Sequence, residues 1–284
     1  MGNPFANTSK IVEIFSGVDS RATHACGAAI SAALFGIIVL QGLLYASQRR
    51  RRGEEMGLFI IVCCAMFLTL AGEVSNQVFY QSIAVGQMEI ASLAVENYSL
   101  ALCIPLASAS IATCMLAWIW RLHKMGKSHF LLIGCSIPVV ASIGTAISMS
   151  VVQTSFLDLN DTLLEILAAV AKHGPLYVTL NRAHFALLTS ANLVVIALLL
   201  WYLRQARNMK HQAGRTLNQL MIIHTNTNLL PCVIALTRHI LFEEQELSWT
   251  LFTLFLEAKV HMIGLMSSLV GPIFSIAYLA QLTH

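Results

Sequence analysis

The chain has 284 residues, of which 57% are hydrophobic and 11% charged, with a formal net charge of +3 and a mean hydropathy of +0.71. A water-soluble domain carries about 25% charged residues, so this composition excludes an ordinary globule in water and places the chain in a lipid bilayer.

Seven apolar runs follow one another, each long enough at a helical rise of about 1.5 Å per residue to cross about 30 Å of hydrocarbon. They are Cys26–Ala46, Met56–Tyr80, Leu100–Trp120, Phe130–Val152, His184–Leu203, Leu217–Phe242 and Ser248–Val270, with residues 271–284 as a short apolar tail. None shows the alternation of a barrel strand. The expected fold is therefore all-α: a polytopic membrane protein with one domain of seven transmembrane helices.

Ahead of the first run, MGNPFANTSK has no basic and apolar segments of a cleavable signal, so the first helix is expected to act as an uncleaved one. The loop after it holds Arg49, Arg50, Arg51 and Arg52; the loop after the third run holds Arg121, Lys124 and Lys127; the loop after the fifth holds Arg204, Arg207, Lys210 and Arg215. Together these carry eleven of the seventeen basic residues. Cytoplasmic loops retain such charges, so the N-terminus is expected outside and the C-terminus in the cytoplasm. Squeezed between two spanning helices, the arginine run reads as a topology signal, and no nucleic-acid partner is expected. Three glycosylation acceptors, Asn7, Asn97 and Asn160, all fall on the side left outside.

An ionisable group at membrane depth costs roughly 2.5–3.5 kcal/mol on insertion scales, so each one marks a candidate site. In the second run, Glu73, Asn76 and Gln77 share a face through i+3 and i+4 spacing. There the carboxylate can meet a cationic ligand or a basic residue of another helix. In the sixth run, His224, Asn226 and Asn228 precede Pro231, which removes a backbone donor and favours a kink. In the seventh, Glu257, His261, Gly264 and Ser268 recur at helical spacing as one polar stripe. Lys259 points to the opposite side and cannot pair with Glu257. Either that helix is enclosed by protein on both sides, or its span begins near Val260 and leaves the charges at the surface. The first register is expected, with Gly271-Pro272 breaking the helix after Val270.

The cysteines, Cys26, Cys63, Cys64, Cys103, Cys114, Cys135 and Cys232, lie within or at the ends of runs without metal-ligand spacing. They are expected as buried free thiols, with Cys26 and Cys103 as the one conceivable pair. No metal and no cofactor is expected.

The segments LFGIIVLQGLLY (34–45), WIWRL (118–122) and AHFALLTSANLVVIALLLWYLRQARNMKHQAGRTLNQLMIIHTNTNLL (183–230) resemble a family of uncharacterised seven-helix membrane proteins of basidiomycete fungi, catalogued as a domain of unknown function. Lys259 and Leu269 resemble the lysine and leucine of that family's last helix. The chain departs from the family pattern where Asn192 replaces an aspartate, Trp118 an arginine, Asn228 a glycine, and His261 and Ile263 a tyrosine and an asparagine. The resemblance implies a divergent member with the seven-helix fold, and it brings no established ligand or activity. Asn192 and Asn226 are expected to hydrogen-bond between helices, because unsatisfied amides in hydrocarbon are costly.

Topology and basic inner loops suit a receptor-like sensor in the plasma membrane or an endomembrane, with lipid, a small-molecule ligand and a cytoplasmic signalling partner at those loops. The alternative is a small-molecule or ion transporter lined by Glu73, Asn76, Asn192 and Lys259, although no internal repeat is evident. A retinal-binding rhodopsin is more remote, since the residue four before Lys259 is Phe255 rather than a counterion. No hydrolase motif is present, and no enzyme is expected.

Overall fold

Lipid offers the backbone no hydrogen-bond partners, so an apolar run that crosses it must satisfy its own N–H and C=O groups as a helix. The computed structural model describes residues 18–52, 56–85, 90–126, 129–155, 163–207, 229–241 and 247–282, and all of these except Ser155 are α-helical. In chain order the helices are α1 Val18–Arg52, α2 Met56–Val85, α3 Ile90–Gly126, α4 His129–Thr154 and α5 Leu163–Arg207, α6 described over Leu229–Leu241, and α7 Leu247–Leu282.

Six of them contain stretches long and apolar enough to cross a membrane: Ala25–Ser47, Met56–Phe79, Tyr98–Trp120, Leu132–Thr154, Lys172–Leu198 and Phe252–Leu269. The described part of α6 is apolar but shorter. The first four stretches match the expected runs closely. The fifth does not. Helix α5 starts at Leu163 and carries Pro175 inside it, whereas the expected run began at His184. Lys172, His173 and Arg182 dilute the hydropathy there without interrupting the helix. A proline costs one backbone bond, which a long helix tolerates.

The expected break at Gly271-Pro272 is likewise corrected, because α7 continues as one helix to Leu282. The residues after Pro272, IFSIAYLAQL, include good helix formers and no further proline or glycine to stop them. The tail is helical as far as Leu282.

Each helix packs beside its chain neighbours from α1 to α5, α1 also packs on α7, and α3 touches α5 and α7 as well. Contacts of Arg238 with Phe185 on α5 and Glu257 on α7 place α6 between those two. The result is a ring of helices with α3 drawn inside. Within the spanning stretches, 78% of α7 and 67% of α3 are buried, against 22% for α1 and α2. Helix α7 is thus enclosed by protein on both sides.

Residue distribution is inverted relative to a protein in water. Leu40, Leu43, Phe67, Ile137, Val151 and Trp201 are exposed, whereas Thr69, Asn76, Ser108, Ser110 and Ser142 are buried. Hydroxyl pairs join helices inside: Thr69 and Ser110 Oγ atoms meet at 2.7 Å between α2 and α3, and Gln41 donates to Ser267 at 3.0 Å between α1 and α7. Small residues allow close approach. A Cβ at Gly72 would already touch Leu106 Cβ at 3.7 Å.

All seven cysteines are free, but only Cys103, Cys114, Cys135 and Cys232 are buried. Cys26, Cys63 and Cys64 are exposed, a correction to the expected burial of the whole set. A thiol is apolar enough to stand on a lipid-facing surface.

Candidate functional site

Residues two apart on a helix point about 160–200° from each other, so Glu257 and Lys259 must look for partners on opposite sides of α7. Each finds one. Lys259 Nζ lies 2.8 Å from Glu73 Oε2 on α2, and Glu257 Oε2 lies 2.7 Å from Arg238 Nη1 on α6. Both pairs are removed from the bundle surface, with exposures of 5% and 7% for the first and 0% for both members of the second.

Around Glu73 the hydrogen bonding is nearly complete. Ser31 Oγ on α1 donates to Oε2 at 2.8 Å, and Gln77, one turn along α2, donates to Oε1 at 2.6 Å. Asn76 donates to Ser31 Oγ at 3.0 Å, so the shared face of Glu73, Asn76 and Gln77 read from the sequence forms a chain that ends on Lys259. Helices α1, α2 and α7 are joined through one carboxylate. Its charge is shared among three donors, which is what a buried carboxylate needs to remain ionised.

The second pair is arranged differently. Arg238 packs over the Phe185 ring at 4.3 Å to its centroid, a cation–π contact that partly replaces lost hydration. The guanidinium is close to Glu257 but misaligned, and no nitrogen of Arg238 and no carboxylate oxygen of Glu257 makes a hydrogen bond. His261, one turn along α7, holds Nε2 at 3.8 Å from Glu257 Oε1, too far for a hydrogen bond, and neither of its ring nitrogens has another partner.

A third polar group lies between α3, α4 and α5. His184 receives contacts from Ser108 at 3.1 Å on Nε2, and from Thr145 Oγ1 at 3.2 Å and Ser142 O at 3.0 Å on Nδ1. It is buried and saturated. Sequence reasoning missed both His184, placed at the start of a run, and Arg238. The arginine stands four residues before Phe242, the expected end of the sixth run, where an arginine reads as an interfacial anchor. The cost rule applied to Glu73 and Lys259 would have found it.

Of the other expected residues, Asn192 is buried on α5, yet its Nδ2 donates to no protein atom. Burial kept it from lipid without supplying the expected bond. Asn97 lies within α3. Asn7, Asn160, Asn226, His224 and Asn228 are outside the described residues. Among the described residues, no three histidine, cysteine or carboxylate side chains gather as metal ligands would.

Residues 189–271 match the model of a family of unknown function, DUF6534. The match runs from Thr189 on α5 through α6 to Gly271 on α7, taking in Arg238, Glu257 and His261 but only the lysine half of the first ion pair. No curated protein and no solved structure matches the chain. Apolar exteriors on six helices of spanning length make this an integral, multi-pass membrane protein in contact with lipid.

Proposed function

We propose that the chain is a receptor-like sensor of seven spans, N-terminus outside and C-terminus cytoplasmic, related to the seven-helix fungal family it resembles. The observation that carries this reading is the pair of buried ion pairs gripping α7 from opposite sides, Lys259 with Glu73 and Glu257 with Arg238. Such pairs are net weak stabilisers but strong determinants of which helix stands where. A ligand with unequal affinity for the paired and unpaired arrangements shifts the balance between them. Movement of α6 and α7 would then be read by a cytoplasmic partner at the basic inner loops.

The test is a screen of small molecules for thermal stabilisation of the purified protein, because ligand at about 100-fold its Kd adds about 2.7 kcal/mol to the folded state. The same hits are applied to Arg238→Lys, which keeps the charge and loses the planar fork. Hits that stabilise wild type and lose their effect in the variant support the sensor. The buried charges also suit a transporter, and accumulation of a radiolabelled hit in proteoliposomes would replace the sensor reading with that one.

A further inference from the structure

Among the described residues, thirteen buried side-chain nitrogen and oxygen atoms make no hydrogen bond, and ten of them stand on α5, α6 and α7. They belong to Thr189 and Asn192 on α5, Arg238 and His239 on α6, and Glu257 and His261 on α7. Arg238 sits against Phe185, which fixes the level of the set on α5. Thr189 and Asn192 follow one and two turns later, and His261 follows Glu257 by one turn. At about 1.5 Å per residue the set extends roughly 10 Å along the bundle.

Buried polar atoms are almost always satisfied, and in a lipid-facing bundle no bulk water reaches them. An unmet buried donor or acceptor costs about 1–3 kcal/mol. Even with Arg238 Nη1 and Glu257 Oε2 set aside, because they attract each other at 2.7 Å, such a seam costs an amount comparable to the whole stability of about 5–15 kcal/mol of a folded protein. Side-chain repacking within the seam cannot cure this, because Arg238 alone brings five N–H donors to a region in which Glu257 is the only carboxylate among the described residues.

We infer that the α5–α6–α7 seam is an internal water site, holding an ordered cluster between Arg238, Glu257, His261 and Asn192. The charges of Arg238 and Glu257 cancel, so a bound anion would lie against Glu257 and a bound cation against Arg238. The remaining atoms are donors on Arg238 and Asn192, acceptors on Glu257, the Thr189 hydroxyl, which does both, and ring nitrogens, one on His239 and two on His261. A neutral molecule that both donates and accepts meets all of them. At about three bonds per buried water, ten atoms require about three molecules. Water is needed there whether the bundle signals or transports. It gives the seam exchangeable partners that the Glu73 cluster does not have.

X-ray hydroxyl-radical footprinting of the full chain in lipid nanodiscs, in water enriched in oxygen-18, reads this directly. Radicals formed from bound water label the side chains beside it, and buried side chains without water stay protected. His261 and His184 are both 1% exposed, and Phe185 and Phe79 are 3% and 1% exposed, so each reporter has an internal control of the same residue type. His261 and Phe185 are expected to incorporate oxygen-18 several-fold faster than His184 and Phe79. Equal rates would overturn the water site. In the double variant Arg238→Leu with Glu257→Leu, labelling of His261 is expected to fall to the level of His184, and labelling unchanged from wild type also counts against the site. Should that variant fail to fold, the comparison within the wild-type molecule decides alone.

Discussion

The two sides of α7 carry ion pairs of equal closeness and unequal completeness. On the α1–α2 side, Glu73 receives Lys259, Ser31 and Gln77 within 2.8 Å. On the α5–α6 side, Glu257 and Arg238 approach to 2.7 Å with no aligned hydrogen bond to any protein atom. Distance alone would rank them alike. The difference lies in the neighbours: α1 and α2 present short hydroxyl and amide side chains at the right level, whereas α5 presents Phe185. A saturated pair fixes a helix in one place. A pair that relies on exchangeable partners lets its helix move.

The largest expected effect comes from removing one partner of the Glu73 cluster. Lys259→Leu leaves Glu73 buried without its cation and is expected to lower unfolding stability by about 3–5 kcal/mol, measured as the midpoint of denaturant unfolding in detergent or bicelles. Adding Glu73→Gln to that variant restores part of the loss.

Replacing both members of each pair by leucine separates the two sides by sign. For Glu73 and Lys259 the double change removes the acceptor of Ser31 Oγ and Gln77 Nε2 and is expected to cost about 1–3 kcal/mol. For Arg238 and Glu257 little protein hydrogen bonding is lost, and the apolar pair is expected to be neutral or to stabilise by about 1–4 kcal/mol. Losses of the same size on both sides would erase the distinction.

Two cysteines report on the same contrast more gently. Cys103 is within electrostatic reach of Glu73 and Lys259, and Cys232 of Glu257; both thiols are buried. A membrane-permeant maleimide, followed by intact mass, is expected to modify Cys232 several-fold faster than Cys103 in the folded protein, because thiol attack needs water and opening. The smallest effects are expected from single hydroxyls. Ser31→Ala is expected to cost about 1 kcal/mol for its lost bond to Glu73, whereas Thr189→Val, which removes a hydroxyl with no protein partner whose neighbouring water can turn to another group, leaves thermal stability within about 0.5 kcal/mol.

Much of the first cluster was legible beforehand, since Glu73, Asn76 and Gln77 lie at helical spacing and Lys259 faces away from Glu257. The geometry of one helix implied that α7 needs partners on two sides. It did not name them. Nothing local links residue 259 to residue 73, or 257 to 238, and Arg238 lay so near the end of its run that it resembled an anchor at the membrane surface. The helix ends failed for a related reason. Hydropathy falls at Lys172, His173 and Arg182, and proline with glycine at 271–272 resembles a stop, yet in apolar surroundings the backbone has no better alternative than to remain helical.

Composition and run length by themselves determined that long helices with apolar exteriors meet lipid, because the cost of burying charge and unpaired backbone depends on one segment at a time. Spacing along each helix determined which polar residues share a face, for the same local reason. Which face meets which, and whether the meeting is saturated or left short of partners, depends on how α3 is drawn inside the ring and which side chains neighbouring helices bring to one level. That is a property of packing between segments distant in the chain, and only the tertiary structure decided it.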